Sequence, residues 1–147
     1  LVLADALALA AEDEPDLIVD IATLTGACKV ALGEKIAGLW TNDEEAGDRV
    51  AAAAAAAGER VWPMPQPADY WSLIESDIAD MQNASSSRYG SAMAATLLLE
   101  QFVDGRPWAH LDIAGPSWAT KAEHYIPKGA TGFGVRTLVQ LAEGLTS

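Results

Sequence analysis

The sequence predicts an α/β fold, a three-layer sandwich whose mostly parallel or mixed sheet is flanked by helices, and three observations predict it. A helix-periodic apolar run, Leu1–Ala11, is followed within a few residues by a short run rich in branched side chains, Leu17–Ala22; a helix leading straight into a buried strand is the rhythm of a sheet with helices on its faces. Alanine- and leucine-rich stretches of helical length then alternate with short apolar stretches of strand length. Half of the 147 residues are hydrophobic, enough for one domain with a sizeable core.

In the opening run Leu1, Ala4 and Ala8, with Leu3 and Leu7, recur at three- and four-residue spacings, and the alanines permit close packing. Pro15, behind Glu12-Asp13-Glu14, cannot continue the helical hydrogen-bond ladder. Thr23-Leu24-Thr25-Gly26-Ala27 leaves the carboxyl end of the first strand, the edge where open α/β sheets place ligands. Its small residues let a ligand approach the backbone.

A second strand is expected at Ile36–Trp40. Asn42 and Glu45 have the spacing of an N-cap box for a helix from Glu44 to Ala57, dominated by seven consecutive alanines and stopped by Gly58. Trp62-Pro63-Met64-Pro65-Gln66-Pro67 is too proline-rich for helix and is the best linker candidate, although Val61, Trp62 and Met64 argue that it lies against the body. Asp69 is placed to cap a helix from Tyr70 to Met81, followed by a polar loop at Asn83–Arg88. Gly90-Ser91-Ala92 opens a helix reaching Phe102 or Val103. Trp108–Ala114, between Pro107 and Gly115-Pro116, is a strand. Ser117–Ala130 is expected as loop, and the last helix starts at Thr131 or Gly132 and runs through Leu141. No period of solenoid length appears.

The formal charge of -12, from 21 acidic against 9 basic side chains without a Lys/Arg cluster, repels phosphates and argues against a nucleic-acid partner. The apolar runs are broken well before about 18 residues, and no basic leader precedes a cleavage site, so a soluble protein with no membrane partner is expected. Cys28 stands alone, which excludes an internal disulfide or a cysteine-based zinc site and fits a reducing compartment. The apolar helix at Leu1 has neither a cap nor a methionine before it, as expected where a chain starts inside a longer polypeptide.

Candidate chemistry is sparse. Asp5, Asp20 and Asp112 are the notable carboxylates, and the last two fall in predicted strands, where each needs a counter-charge, a metal or several donors. Capping of neighbouring backbone, or a structural pair with Arg88 or Arg136, is the preferred explanation. His110 is expected to be a packed strand histidine with one satisfied nitrogen rather than a ligand, and it has no HxxxH relation to His124. Ser85-Ser86-Ser87 and Ser117 lack a nucleophile-elbow pattern and suit turns. Gly129-Ala130-Thr131-Gly132-Phe133-Gly134 lacks the GK[ST] ending of a phosphate loop, and Cys28 suits a small packed residue better than a nucleophile.

Three segments converge on one family. Leu1-Val2-Leu3-Ala4-Asp5-Ala6-Leu7, Asp20-Ile21-Ala22-Thr23-Leu24-Thr25-Gly26-Ala27 and Trp108-Ala109-His110-Leu111-Asp112-Ile113-Ala114-Gly115 resemble the leucyl aminopeptidases, or cytosol aminopeptidases. Leu32-Gly33, Ala37-Gly38-Leu39-Trp40-Thr41-Asn42 and Gly129 through Arg136 add to a likeness spread in order over nearly the whole chain.

The resemblance implies the carboxy-terminal portion of a catalytic domain, beginning just after an Asn-Thr-Asp-Ala-Glu-Gly-Arg signature that carries metal ligands and a catalytic arginine in the family. The other ligands and a catalytic lysine lie further upstream, so no metal ligand and no catalytic residue is assigned within these 147 residues. What carries over is a substrate wall: Thr23 lining the first side-chain pocket, the backbone of Leu24 bonding the reacting carbonyl region and scissile amide, the N–H of Gly26 bonding the peptide beyond, and Ala92 as a second pocket-lining residue. The resemblance further implies two divalent ions, zinc or manganese, in the full-length enzyme, release of leucine-like amino-terminal residues from peptides, a homo-hexamer and a cytoplasmic location. The competing reading is a non-catalytic scaffold or assembly module derived from an aminopeptidase.

Overall fold

The computed structural model describes residues 1–85 and 87–145. Four strands, β1 (Ile18–Ala22), β2 (Ala37–Thr41), β3 (Val61–Pro63) and β4 (Trp108–Asp112), form one mixed sheet in the order β1-β4-β2-β3. β1 runs parallel to β4 with Ala22 opposite Asp112, whereas β2 is antiparallel to β4 and parallel to β3. Because side chains alternate along a strand, Ile18 and Trp108 turn to one face and pack with Ala4, Leu7 and Ala11 of α1 (Val2–Glu12) and Leu97 and Leu98 of α4 (Ser91–Glu100). Trp40 adds Cys28 of α2 (Gly26–Leu32) and Ala92 to that layer. Leu39, Ala109 and Leu111 turn the other way, onto Val50 and Ala53 of α3 (Glu44–Ala57) and Leu141 of α5 (Val135–Leu145). The result is the three-layer α/β sandwich expected from the sequence.

Several elements depart locally from expectation. The buried stripe of α1 is Ala4, Leu7 and Ala11, with Leu3 partly buried, while Leu1 and Ala8 face outward with Val2 and Leu9. The cap of α3 is Asp43, whose side chain accepts from the Ala46 N–H at 2.8 Å. Asn42 is used across the sheet instead: its Oδ1 accepts from the Trp108 N–H at 2.8 Å and its Nδ2 donates to the Arg106 carbonyl at 2.9 Å. Gly58, at φ 69°, ends α3 in the left-handed conformation that glycine tolerates best.

The first two residues of the proline-rich segment, Trp62 and Pro63, close the edge strand β3, a position where Pro63 forfeits no central ladder bond. The Met64 N–H continues onto the Leu39 carbonyl at 2.9 Å, and the Trp40 indole donates to the Pro65 carbonyl at 3.2 Å. The helix expected over Tyr70–Met81 is only a 3-10 helix, Ala68–Leu73, preceded by Pro67 and not capped by Asp69. Beyond it only Ile74 is buried while Ile78 is almost wholly exposed, so no apolar stripe exists to hold further turns against the body.

In the polar loop, Ser86 lies outside the described residues; the Ser85 and Ser87 hydroxyls accept from the Ser87 and Tyr89 N–H groups at 3.1 Å, the turn role expected of them. The segment read as loop contains an antiparallel pair, β5 (Trp118–Ala119) with β6 (Gly129–Ala130). α5 starts at Val135 rather than at Thr131 or Gly132, because Gly132 and Gly134 hold positive φ of 69° and 92°. Among the described residues no helix is long and apolar enough to cross a membrane.

Candidate functional site: the turn after the first strand

β1 ends at Ala22, and the chain turns through Thr23, Leu24 and Thr25 into α2 at the carboxyl end of the parallel pair β1 and β4. Thr25 has extended backbone and its hydroxyl accepts from the Cys28 N–H at 3.0 Å, the usual device for satisfying a free amide of a helix's first turn. Thr23 and Gly26 are exposed and Leu24 is half-buried. A Cβ added to Gly26 would meet nothing within 4 Å, so the backbone there faces open space.

The turn is held by Asp112, the last residue of β4, whose side chain is fully buried. Its Oδ1 accepts from the N–H groups of Leu24 at 3.2 Å and Ala114 at 3.0 Å; its Oδ2 accepts from the Thr25 N–H at 3.0 Å and the Thr25 hydroxyl at 2.7 Å. Four donors therefore satisfy one buried carboxylate, with no arginine involved. The backbone-capping explanation of Asp112 holds, across a separation of 88 residues for Leu24. Gly115 is equally constrained, because a Cβ there would lie 2.1 Å from the Gly33 carbonyl oxygen.

Thr23, Leu24 and Gly26 are thus brought together in one turn. Ala92 sits on a different element, the first turn of α4, 7% exposed and packed with Cys28 and Trp40 behind α2. Cys28 is the packed residue the sequence suggested: it is 1% exposed, and burial, then the neighbouring Asp112 carboxylate, push its thiol up to about 11 from 9.0. The folded form favours the protonated thiol, so its contribution to stability is complete below pH 9.0 and is lost as pH rises through about 11. A thiol reagent at pH 8 is expected to modify the native protein at least about a hundredfold more slowly than the urea-unfolded chain. Equal rates would refute the burial.

Asp20, 9% exposed, is engaged from both sides. Its Oδ1 lies 2.5 Å from His110 Nδ1, and its Oδ2 accepts from the Trp108 indole at 2.7 Å. The arginine pair considered for it does not form, and Arg136 instead lies 3.6 Å from Glu59. His110 is wholly buried with one nitrogen bonded, and its Nε2 has no partner among the described residues. Each oxygen of both strand carboxylates thus has a polar partner. Among the described residues no group of three or more His, Cys, Asp or Glu side chains could hold a metal ion.

Glu59 was not signalled by the sequence. It follows the glycine stop of α3, is 5% exposed, and accepts from the Gly134 N–H at 3.0 Å, the Thr137 N–H at 3.0 Å and the Thr137 hydroxyl at 2.6 Å. A cavity of about 350 Å³ opens beside it, lined by Trp118, Tyr125, Phe133, Lys35 and Arg136 and by none of the four substrate-wall candidates.

The pattern of the cytosol aminopeptidase family, catalytic domain, matches residues 1–139. A probable cytosol aminopeptidase of Synechococcus sp. (strain JA-3-3Ab) is 53% identical over 140 residues, 95% of this chain and 27% of the relative. One of Cyanothece sp. (strain PCC 7425 / ATCC 29141) is 51% identical over 144 residues, 98% of this chain and 29% of the relative. A solved mutant of tomato leucine aminopeptidase superposes with a TM-score of 0.88 at 44% identity, over 95% of this chain and 27% of that one. The chain therefore spans under a third of the length of these relatives. With the fold, the order of the motifs and the family pattern in agreement, this chain belongs to the cytosol aminopeptidase family.

Proposed function

We propose that these residues form the carboxy-terminal part of a leucyl aminopeptidase catalytic domain, and that they supply a substrate wall to an enzyme that releases leucine-like amino-terminal residues from peptides. The observation that carries the reading is the turn itself: an exposed, small-residue backbone at the carboxyl end of a sheet strand, held rigid from beneath by a buried carboxylate. In this reading Thr23 lines the pocket for the first side chain and the Leu24 carbonyl meets the scissile amide, while the Leu24 N–H, the donor a reacting carbonyl would need, is held by Asp112. Gly26, at the first position of α2, has one of the N–H groups a helix leaves without an internal partner, which suits it to bond the peptide beyond. Ala92 forms a second, deeper wall through its packing behind α2.

The two divalent ions of the family reading, zinc or manganese, are assigned to residues outside these 147. The exposed Leu1, Val2 and Leu9, and the position of β1 at the edge of the sheet, support a further body of protein on that side. A homo-hexamer and a cytoplasmic location belong to the same proposal, and the isolated chain is assigned no turnover.

The test compares the polypeptide with its upstream sequence against its Thr23→Trp variant. A bulky ring in the first side-chain pocket is expected to lower kcat/KM for leucyl peptides by at least about a hundredfold, because misplacing the substrate by about 1 Å costs that much. Unchanged peptidase activity in the folded variant would remove Thr23 from the site and the substrate wall with it.

A further inference from the structure

We propose that Asp112 is a positioning residue that sets the direction of the peptide units around Leu24 and thereby favours amide over ester substrates. The inference rests on the substrate-wall reading of the Thr23–Gly26 turn.

In a trans peptide unit the N–H and the C=O point in opposite directions. Asp112 draws the Leu24 N–H onto Oδ1 and the Thr25 N–H onto Oδ2. The carbonyls of the same two peptide units, those of Thr23 and Leu24, therefore point away from the buried Asp112 carboxylate, outward in the substrate-wall reading. An outward carbonyl is an acceptor. It can take the N–H of a scissile amide, whereas the bridging oxygen of an ester brings only lone pairs to the same point.

The carboxylate is required in this arrangement because each of its oxygens receives two donors, Leu24 and Ala114 on one, the Thr25 amide and hydroxyl on the other. An asparagine, whichever way its amide is turned, sets an NH2 group against the Leu24 and Ala114 N–H groups or against the Thr25 N–H, and so leaves at least one backbone N–H unpaired in a buried place. The Thr25 hydroxyl extends the control, since it donates to Asp112 while accepting from the Cys28 N–H and so couples the turn to the start of α2.

The experiment measures kcat/KM for leucinamide and for leucine methyl ester on the polypeptide with its upstream sequence, alongside thermal unfolding. Asp112→Asn is expected to lower amide hydrolysis about a hundredfold and ester hydrolysis no more than about tenfold. A merely structural role would lower both equally. Thr23→Trp serves as the reference: if it leaves both reactions intact, the substrate wall is wrong and this proposal falls with it. If Thr23→Trp blocks both while folded Asp112→Asn leaves the amide-to-ester ratio unchanged, the wall stands and the positioning role is overturned. Should Asp112→Asn fail to fold, Thr25→Val removes only the hydroxyl bridge and must shift the ratio in the same direction, with Thr25→Ser recovering most of the loss. An unchanged ratio in Thr25→Val would equally overturn the proposal.

Discussion

Replacing Glu59 by glutamine is expected to remove about 1 to 3 kcal/mol of folding stability, the usual cost of leaving buried donors without an acceptor. The Glu59 carboxylate meets the chain at the start of α5, where helix amides lack internal partners, and satisfies the Gly134 N–H, the Thr137 N–H and the Thr137 hydroxyl at once. Glutamine keeps one acceptor oxygen and turns an NH2 group toward donors on the other side. Since α5 packs Leu141 against Val50 and Ala53 of α3, loosening its first turn weakens the whole outer layer. Arg136, 3.6 Å from Glu59 and half exposed, is expected to matter far less, and Arg136→Gln should cost under about 1 kcal/mol. Urea unfolding of the two variants decides the matter. Equal losses would mean that the ion pair, not the capping, is what Glu59 provides.

The second large effect is expected at Trp108. It is wholly buried in the layer between the sheet and α1 and α4, its indole donates to Asp20 at 2.7 Å, and its ring stacks on His110 at 6.2 Å between centroids. Trp108→Ala should cost about 3 to 5 kcal/mol, because the neighbouring layers collapse only partly into the space left. Trp108→Phe preserves much of the apolar bulk and removes the donor, so its cost, about 1.5 to 3 kcal/mol, isolates the hydrogen bond to the buried carboxylate. A Phe variant as stable as the parent would mean that His110 alone satisfies Asp20.

Much of this was legible in the residues. The branched run at Leu17–Ala22 and the alternating run at Trp108–Ala114, set off by Pro107 and Gly115-Pro116, became strands, and the alanine run closed by Gly58 became α3. The turn at Thr23–Gly26 could be singled out from its place after a strand and its small side chains. The errors fell where a distant partner outweighed a local signal. Asn42 looked like a helix cap, yet its side chain serves Trp108 and Arg106 across the sheet while the adjacent Asp43 caps. The stretch after Tyr70 held enough helix-forming residues for a helix but no stripe to bury, and only a 3-10 turn survives.

The sequence by itself determined the helices α1, α3, α4 and α5, the strands β1, β2 and β4, and the turn that carries small residues at a strand's carboxyl end, since these are properties of periodicity and punctuation within a dozen residues. Only the tertiary structure decided that β4 lies between β1 and β2, that Asp112 meets Leu24 and Thr25, and that Glu59 meets Thr137. Those partners lie between 78 and 88 residues apart. Their meeting follows from how whole layers bury apolar surface and satisfy buried carboxylates together, a balance that no local pattern encodes.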